Sequence, residues 1–276
     1  MCDLQPKACL KGRLPFRLGT TSYIVPDDIL PNLHYLRDQV DDVELVLFES
    51  DEFSNMPSAR DVARMAELAA DHALSYTVHL PLDTHLGSAD ERERQASVGK
   101  CLRVIERMAS LNPFAYVLHL HGDRRGDPPT DDRPRWLAQC RRSLAELLGH
   151  ALPASQLCVE NIDYDFALVA ELVEQYDLAV CIDIGHLLLM QRDVEAHLKR
   201  WLHRARIIHL HGVHGGYDHV DISHVPPHLL DLLTTCLALD AAMGRRVVTL
   251  EIFDEDDFLR SMDVLQERLG TWLRSR

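Results

Sequence analysis

The stretch Ala179-Val-Cys-Ile-Asp-Ile-Gly-His186 decides how the rest of the chain is read. Its apolar run, Ala179 to Ile182, reads as a buried strand that ends on Asp183, turns through Gly185 and meets His186. A carboxylate and an imidazole at the mouth of a fold are ligand types that a zinc-like or manganese-like ion takes. Either residue is also able simply to cap the following helix. The pair gains meaning because other apolar strands in the chain end in the same way.

Leu18 to Ile24 reads as a first strand, and Pro26 opens a helix through Leu30, Leu33, Leu36 and Val40. Val43 to Glu49 is a second strand, followed by a helix from about Ser58 to Ala73. Tyr76 to Leu80 is a third, and its helix presents Val98, Leu102, Ile105 and Met108 on one face. Tyr116 to Leu120 and Leu157 to Glu160 are the fourth and fifth strands. The opening stretch is the sixth, Ile207 to Leu210 the seventh and Val247 to Ile252 the eighth, before a terminal helix from Phe258 to Leu273. Short continuous apolar strands are those buried on both faces. Eight of them alternating with eight helices close a (β/α)8 TIM barrel. The rival fold, an open doubly wound sheet, lacks its Gly-x-Gly-x-x-Gly after the first strand. With no linker or repeat in 276 residues, a single barrel domain over 1–276 is expected, residues 1–16 forming an N-terminal extension.

Composition narrows the function. No apolar run approaches the ~18 residues of a membrane span, and Met1 to Leu14 has no signal-peptide core, so a cytoplasmic protein is expected. The seven cysteines (Cys2, Cys9, Cys101, Cys140, Cys158, Cys181, Cys236) fall at no metal-knuckle spacing and read as reduced, mostly buried thiols. A formal net charge of −14, with basic residues interleaved among acids, disfavours a nucleic-acid substrate, because phosphate binding draws on a basic stripe. The sequence is silent on oligomeric state.

Barrel enzymes keep their chemistry at the C-terminal ends of the strands. Every strand from the third to the eighth carries an acid or an imidazole there: His79, His119, Glu160, Asp183 with His186, His209 and Glu251. The loop after the seventh strand adds His214, Asp218, His219 and Asp221. So many carboxylates facing one another without a cation would be costly. The expected metal ligands are His79, His119, Glu160, Asp183, His186, His209, His219 and Glu251. Glu160, Asp183, His209 and Glu251 suffice for one ion; the surplus imidazoles suggest a second or third, with Glu160 or Glu251 bridging. Two or three divalent ions per chain, Zn2+ or Mn2+, are the expected cofactors. His121, His211, His214 and Asp218 are candidate substrate-binding residues, and Glu49 either supports the ligands from outside or pairs with an arginine. His34, His72, His150, His197 and His203 lie in helical stretches and read as surface residues.

Taken together, "VEN" at Glu160, "IDIGH" at Asp183 and His186, "HLHG" at His209, "DHVDIS" at His219 and "LEI" at Glu251 resemble the xylose isomerase-like TIM barrel superfamily. That superfamily includes sugar epimerases and the endonuclease IV type of apurinic-site nuclease. In the epimerase branch, positions matching Glu160, Asp183, His209 and Glu251 hold one ion, and the two glutamates move a proton beside a carbonyl. In the nuclease branch, positions matching all eight expected ligands share three zinc ions. The extra histidines imply phosphodiester hydrolysis. One nuclease ligand is missing, because Tyr217 stands where the nuclease has an aspartate two residues before the histidine matching His219.

A narrower resemblance lies in "LGTTSYIVPDDILPN" and "VDDVELVLFE", within residues 18–49, which look like the cobamide-remodelling phosphodiesterases of this superfamily. It implies hydrolysis of the nucleotide-loop phosphoester of a corrinoid, releasing a cobinamide phosphate and the α-riboside of the lower base, with Glu160 and Glu251 in the catalytic roles. The alternative is a sugar or sugar-phosphate isomerase or epimerase, with one divalent ion and Glu160 and Glu251 as an acid–base pair. A non-catalytic corrinoid or sugar-phosphate binder is a third reading. All three imply a small-molecule substrate or ligand.

Overall fold

Runs of Val, Ile and Leu that cannot face water on either side need a sheet covered on both faces, and the chain closes that sheet on itself. The computed structural model describes residues 9–50, 53–150, 152–239 and 246–274. In chain order the first elements are β1 (Arg17–Thr21), α1 (Ile29–Leu36), β2 (Asp42–Val46), α2 (Ala59–His72), β3 (Ser75–His79) and α3 (Glu91–Met108). Then come β4 (Tyr116–Leu118), α4 (Arg133–Leu148), β5 (Leu157–Glu160), α5 (Ala170–Gln175), β6 (Ala179–Asp183), α6 (Ile184–Leu189) and α7 (Val194–Trp201). The last are β7 (Ala205–Leu210), β8 (Gly212–His214), β9 (Tyr217–Val220), α8 (Pro227–Leu239), β10 (Val247–Leu250) and α9 (Glu255–Arg274).

The barrel closes in the order β1-β10-β7-β6-β5-β4-β3-β2. Its strand pairs are parallel, with β10 joining β7 to β1: Val248 stands opposite both Ile208 and Leu18. This is a (β/α)8 TIM barrel. Strands β8 and β9 form an antiparallel hairpin outside it. Gly215 and Gly216, at φ 60° and 85°, make its turn, a conformation that a Cβ disfavours. Side-chain caps fix where helices begin. Ser58 accepts from the Asp61 amide while the Asp61 carboxylate accepts from the Ser58 amide, a reciprocal cap on α2, and Asp90 and Asp132 cap α3 and α4. Each such cap contributes about 1 kcal/mol.

The main core lies between strands and helices; a second, smaller one (Ala115, Val117, Cys158, Ala179, Cys181 and Ile207) fills the barrel's N-terminal end. Of the expected N-terminal extension, residues 1–8, with Cys2, lie outside the described residues, while Leu10 and Phe16 are buried in the main core. The six described cysteines are free thiols, and Cys9 is exposed. Among the described residues no helix is long and apolar enough to cross a membrane.

Several boundaries differ from the sequence reading. Strand β4 stops at Leu118 and β10 at Leu250, so His119 and Glu251 stand one residue past their strands. Pro26 precedes the first helix by a short loop instead of opening it. Gly185 sits inside α6, which begins at once after Asp183. Its value is close approach: a Cβ there would meet the His211 ring at 2.0 Å.

Candidate metal centre

Side chains from β3, β5, β6 and β7, with those just past β4 and β10, converge on the C-terminal mouth of the barrel. Glu160, Asp183, His209 and Glu251 each turn one ligand atom toward a common point, all within 4.8 Å of one another. Glu160 also belongs to a neighbouring group with His79 and His119, and it is the carboxylate shared between the two. Its Oε2 lies 2.8 Å from His119 Nε2 and 3.3 Å from His79 Nε2. A third group, His186, His211 and His219, lies on the far side of Asp183.

Hydrogen bonds at the outer ring nitrogens decide which imidazoles present a lone pair inward. His209 donates from Nε2 to Glu44 Oε2 at 2.9 Å, and its Nδ1 meets Glu160 Oε1, 3.3 Å away, and Glu251 Oε2, 3.1 Å away, through a proton or, with an ion bound, through its lone pair. His79 donates from Nδ1 to the Leu80 carbonyl at 2.8 Å, and His219 Nδ1 lies 3.1 Å from Asp218 Oδ1. An oxygen holding the outer nitrogen is the usual support of a metal-bound imidazole. His211 is set the other way. Its Nδ1 lies 2.9 Å from the His219 amide, which donates to it, and 3.2 Å from the Gly212 carbonyl, while Nε2 is directed at the Asp183 carboxylate. His211 is therefore a residue that orients Asp183, although its ring lies within ligand distance of His186 and His219.

The Nδ1 of His209 faces Glu251 Oε2, a buried oxygen with no hydrogen-bond partner. Two lone pairs at that distance repel unless a cation or a proton lies between them, so the donor set fits a divalent ion. Protons carry the charge otherwise. Burial alone would raise the Glu160 carboxyl, but His209 and His119 outweigh it and hold the carboxyl well below the usual range. Burial works against Glu251 too, and His209 and His219 likewise hold it down. In return, despite burial, Asp183 and Glu160 draw the His186 pKa up to about 9, and Glu251 and Asp218 do the same for His219.

Above the candidate ligands lies a cavity of about 330 Å³, lined by His79, His119, His186 and His219 and by Leu82, Ile162, Leu189, Met190 and Phe253. His121 and Asp218, expected to meet substrate, line it. His121 is deeply buried, and that burial, with His119 nearby, pushes its pKa down to about 3. His214 lies apart: it is exposed, its ring 4.4 Å from that of His224, and it does not line the cavity. Asp221 points away and accepts from Arg260 Nε at 3.1 Å. Glu49 is also outside the cluster, its Oε1 3.1 Å from Arg103 Nε. His197, read as a surface residue, is half-buried with its ring 5.4 Å from that of Phe166. A larger groove of about 960 Å³ runs between α1 and α2 on the outside of the barrel and holds none of the expected ligands.

A family model described as a xylose isomerase-like TIM barrel matches residues 39–275. The chain belongs to that family. Within the xylose isomerase-like fold it is similar to a D-tagatose 3-epimerase-like protein, with TM-score 0.74 and 18% identity over 93% of this chain and 98% of the other. It is similar to the 3-keto-D-glucoside 4-epimerase YcjR from E. coli, with TM-score 0.67 and 17% identity over 95% and 100% of the two chains. It is also similar to AsbF from Bacillus anthracis, a probable 3-DHS dehydratase, with TM-score 0.68 and 12% identity over 92% and 100%. No curated protein sequence matches it. These identities establish a common fold, and one fold of this kind hosts several reaction types.

Glu44 is the residue that reading the strand ends missed. It is fully buried on β2 and holds His209 from behind. A signal was present: Asp42 and Glu44 alternate along an otherwise apolar strand, which puts both on one face.

Proposed function

We propose that this protein is a metal-dependent phosphodiesterase acting on a small anionic substrate. The observation that carries the proposal is Glu160 shared between two ligand groups, with His186 and His219 beyond them: more donors than one ion uses. Adjacent divalent ions at such a site polarise phosphate oxygens and lower the pKa of water. Glu160, Asp183, His209 and Glu251 would hold one ion, and His79 and His119 a second with Glu160 between them. With ions bound, Glu44 and Asp218 would hold the outer nitrogens of His209 and His219 so that a lone pair faces inward. The apolar walls at Leu82, Ile162 and Met190 exclude bulk water from the phosphate.

Among phosphodiesters, the nucleotide loop of a cobamide is the substrate that the resemblance of residues 18–49 suggests. Tyr23 and Phe48 from that segment line a groove of about 590 Å³, bounded on the other side by Phe253, which also lines the cavity above the ligands. An aromatic groove that shares Phe253 with the cavity suits a substrate larger than a monosaccharide.

A second reading, a sugar isomerase or epimerase, is favoured by the sugar epimerases among the solved structures of the same fold. It needs Glu160, Asp183, His209 and Glu251 alone, with the two glutamates exchanging a proton. Metal analysis of the purified protein, with a panel of cobamides, other phosphodiesters and ketoses read by mass, separates the two. Two or more equivalents with phosphoester cleavage support the phosphodiesterase. One equivalent with an isomerised sugar and no cleavage overturns it.

A further inference from the structure

His121 stands just past the end of β4 and is 2% exposed, yet neither ring nitrogen has a hydrogen-bond partner. It lines the cavity above the ligands and belongs to none of the ligand groups. Asp163, from the loop after β5, lines the same cavity with a second orphan: Oδ1 is buried and unpartnered, while Oδ2 accepts from the Gly126 amide at 2.7 Å. Arg125 also lines it, exposed and without an ion pair or side-chain hydrogen bond among the described residues.

The surroundings hold these groups in place. Trp136 Nε1 donates to the His121 carbonyl at 3.2 Å, and Tyr164 Oη to the Leu120 carbonyl at 2.9 Å. Gly87 lets Trp136 approach so closely, since a Cβ there would meet its ring at 2.2 Å. The bond from Gly126 to Asp163 ties the loop after β4 to the loop after β5. Buried polar groups without partners are rare in a rigid setting, and a ligand is one way to complete them.

We infer that His121, Asp163 and Arg125 form a recognition subsite for a sugar phosphate, the half of the substrate that lies on the β4–β5 side of the ligand groups. The two unpartnered ring nitrogens of His121 call for a group that can both donate and accept, which a hydroxyl does. The orphaned carboxylate oxygen of Asp163 accepts only, so it requires a hydroxyl and repels a bare anion. The Arg125 guanidinium supplies the opposite preference and takes the phosphate charge. Neither a plain phosphate nor an uncharged sugar uses all three. The inference builds on the phosphodiesterase proposal by naming which group flanks the scissile phosphate.

Calorimetry on the metal-loaded full-length protein with ribose 5-phosphate and with methyl phosphate tests it. Wild type is expected to bind ribose 5-phosphate about tenfold or more tightly than methyl phosphate, since a site built to bond hydroxyls discriminates against a ligand lacking them. Asp163→Asn, which keeps the oxygen that Gly126 bonds, should bring that ratio close to one with methyl phosphate affinity retained. Arg125→Ala should weaken both ligands. Equal affinity for the two ligands in wild type, or an Asp163→Asn variant that weakens both alike, overturns the subsite. Discrimination without hydrolysis of any phosphodiester leaves the subsite standing and overturns the reaction; hydrolysis without discrimination does the reverse.

Discussion

At the N-terminal end of the barrel interior, Val117, Cys158, Cys181 and Ile207 pack as a small apolar plug, while Thr77 on β3 lies at a similar depth. Two residues further along the same strands stand His119, Glu160, Asp183, His209 and, on β3, His79. Because side chains alternate with a period of two, each strand sends both members of its pair to the same interior face. One layer is inert filling and the next carries charge. The stability of the plug needs nothing beyond apolar burial, whereas the layer above it is satisfied by protons on imidazoles or by cations in their place. This division of labour is the one that breaks most readily by experiment.

The largest effect is expected at the shared carboxylate. Glu160→Gln keeps the size of the side chain but removes the charge between the two ligand groups. Activity should fall by well over the roughly 100-fold that loss of an outer supporting residue costs, and bound metal should fall with it. Elemental analysis together with turnover checks both, and full activity with full metal content would refute the centre as drawn.

Next in size is Glu44→Gln. Glu44 lies a layer below the mouth, opposite Thr77 in the β2–β3 register, and reaches His209 from beneath. Loss of its charge should reduce metal affinity or activity by about 10- to 100-fold, measured by competition with a chelating dye. An unchanged affinity would mean that Glu44 belongs with the inert layer.

Glu44 also marks how far the sequence could be read. The barrel, its closure and the charged strand ends were legible because both obey a fixed rule: apolar runs of strand length, and chemistry at strand C-termini. Residues whose role depends on depth were not. For Glu49 the sequence leaves two roles open, support of the ligands or a pair with an arginine, and the end of the strand at Val46, which carries Glu49 out to Arg103, decides for the pair. His211 and His209 share one segment, and only the fold shows that His211 turns Nε2 to Asp183 while the amide of His219 meets its Nδ1. The hairpin of β8 and β9, short and outside the barrel, falls where the sequence shows only a loop.

A pH experiment sharpens the contrast between protons and cations. His186 and His219 have folded pKa values of about 9, above the ~6.5 of an unfolded histidine. Their contribution to stability is then fully present below about pH 6.5 and is lost as pH rises through about 9. Chelator-treated protein should therefore show a melting temperature that falls across that window. Metal-loaded protein should show little of this fall, because cations replace the protons. Parallel curves for the two forms would mean that the imidazoles do not meet the ions.

The smallest effect is expected at Glu49, and it separates the two acids of one sequence segment. Its partner Arg103 is 55% exposed, so solvent reaches the pair from the arginine side although Glu49 itself is half-buried. Exposed pairs of this kind contribute about 0 to 1 kcal/mol. Glu49→Ala should leave metal content and turnover at wild-type levels and move thermal unfolding only slightly. A variant that loses metal would place Glu49 among the supports of the centre and would require the chain after β2 to fold back over the mouth. Retained metal, beside a deficient Glu44→Gln, would instead show that charge in this segment matters only where the barrel buries it.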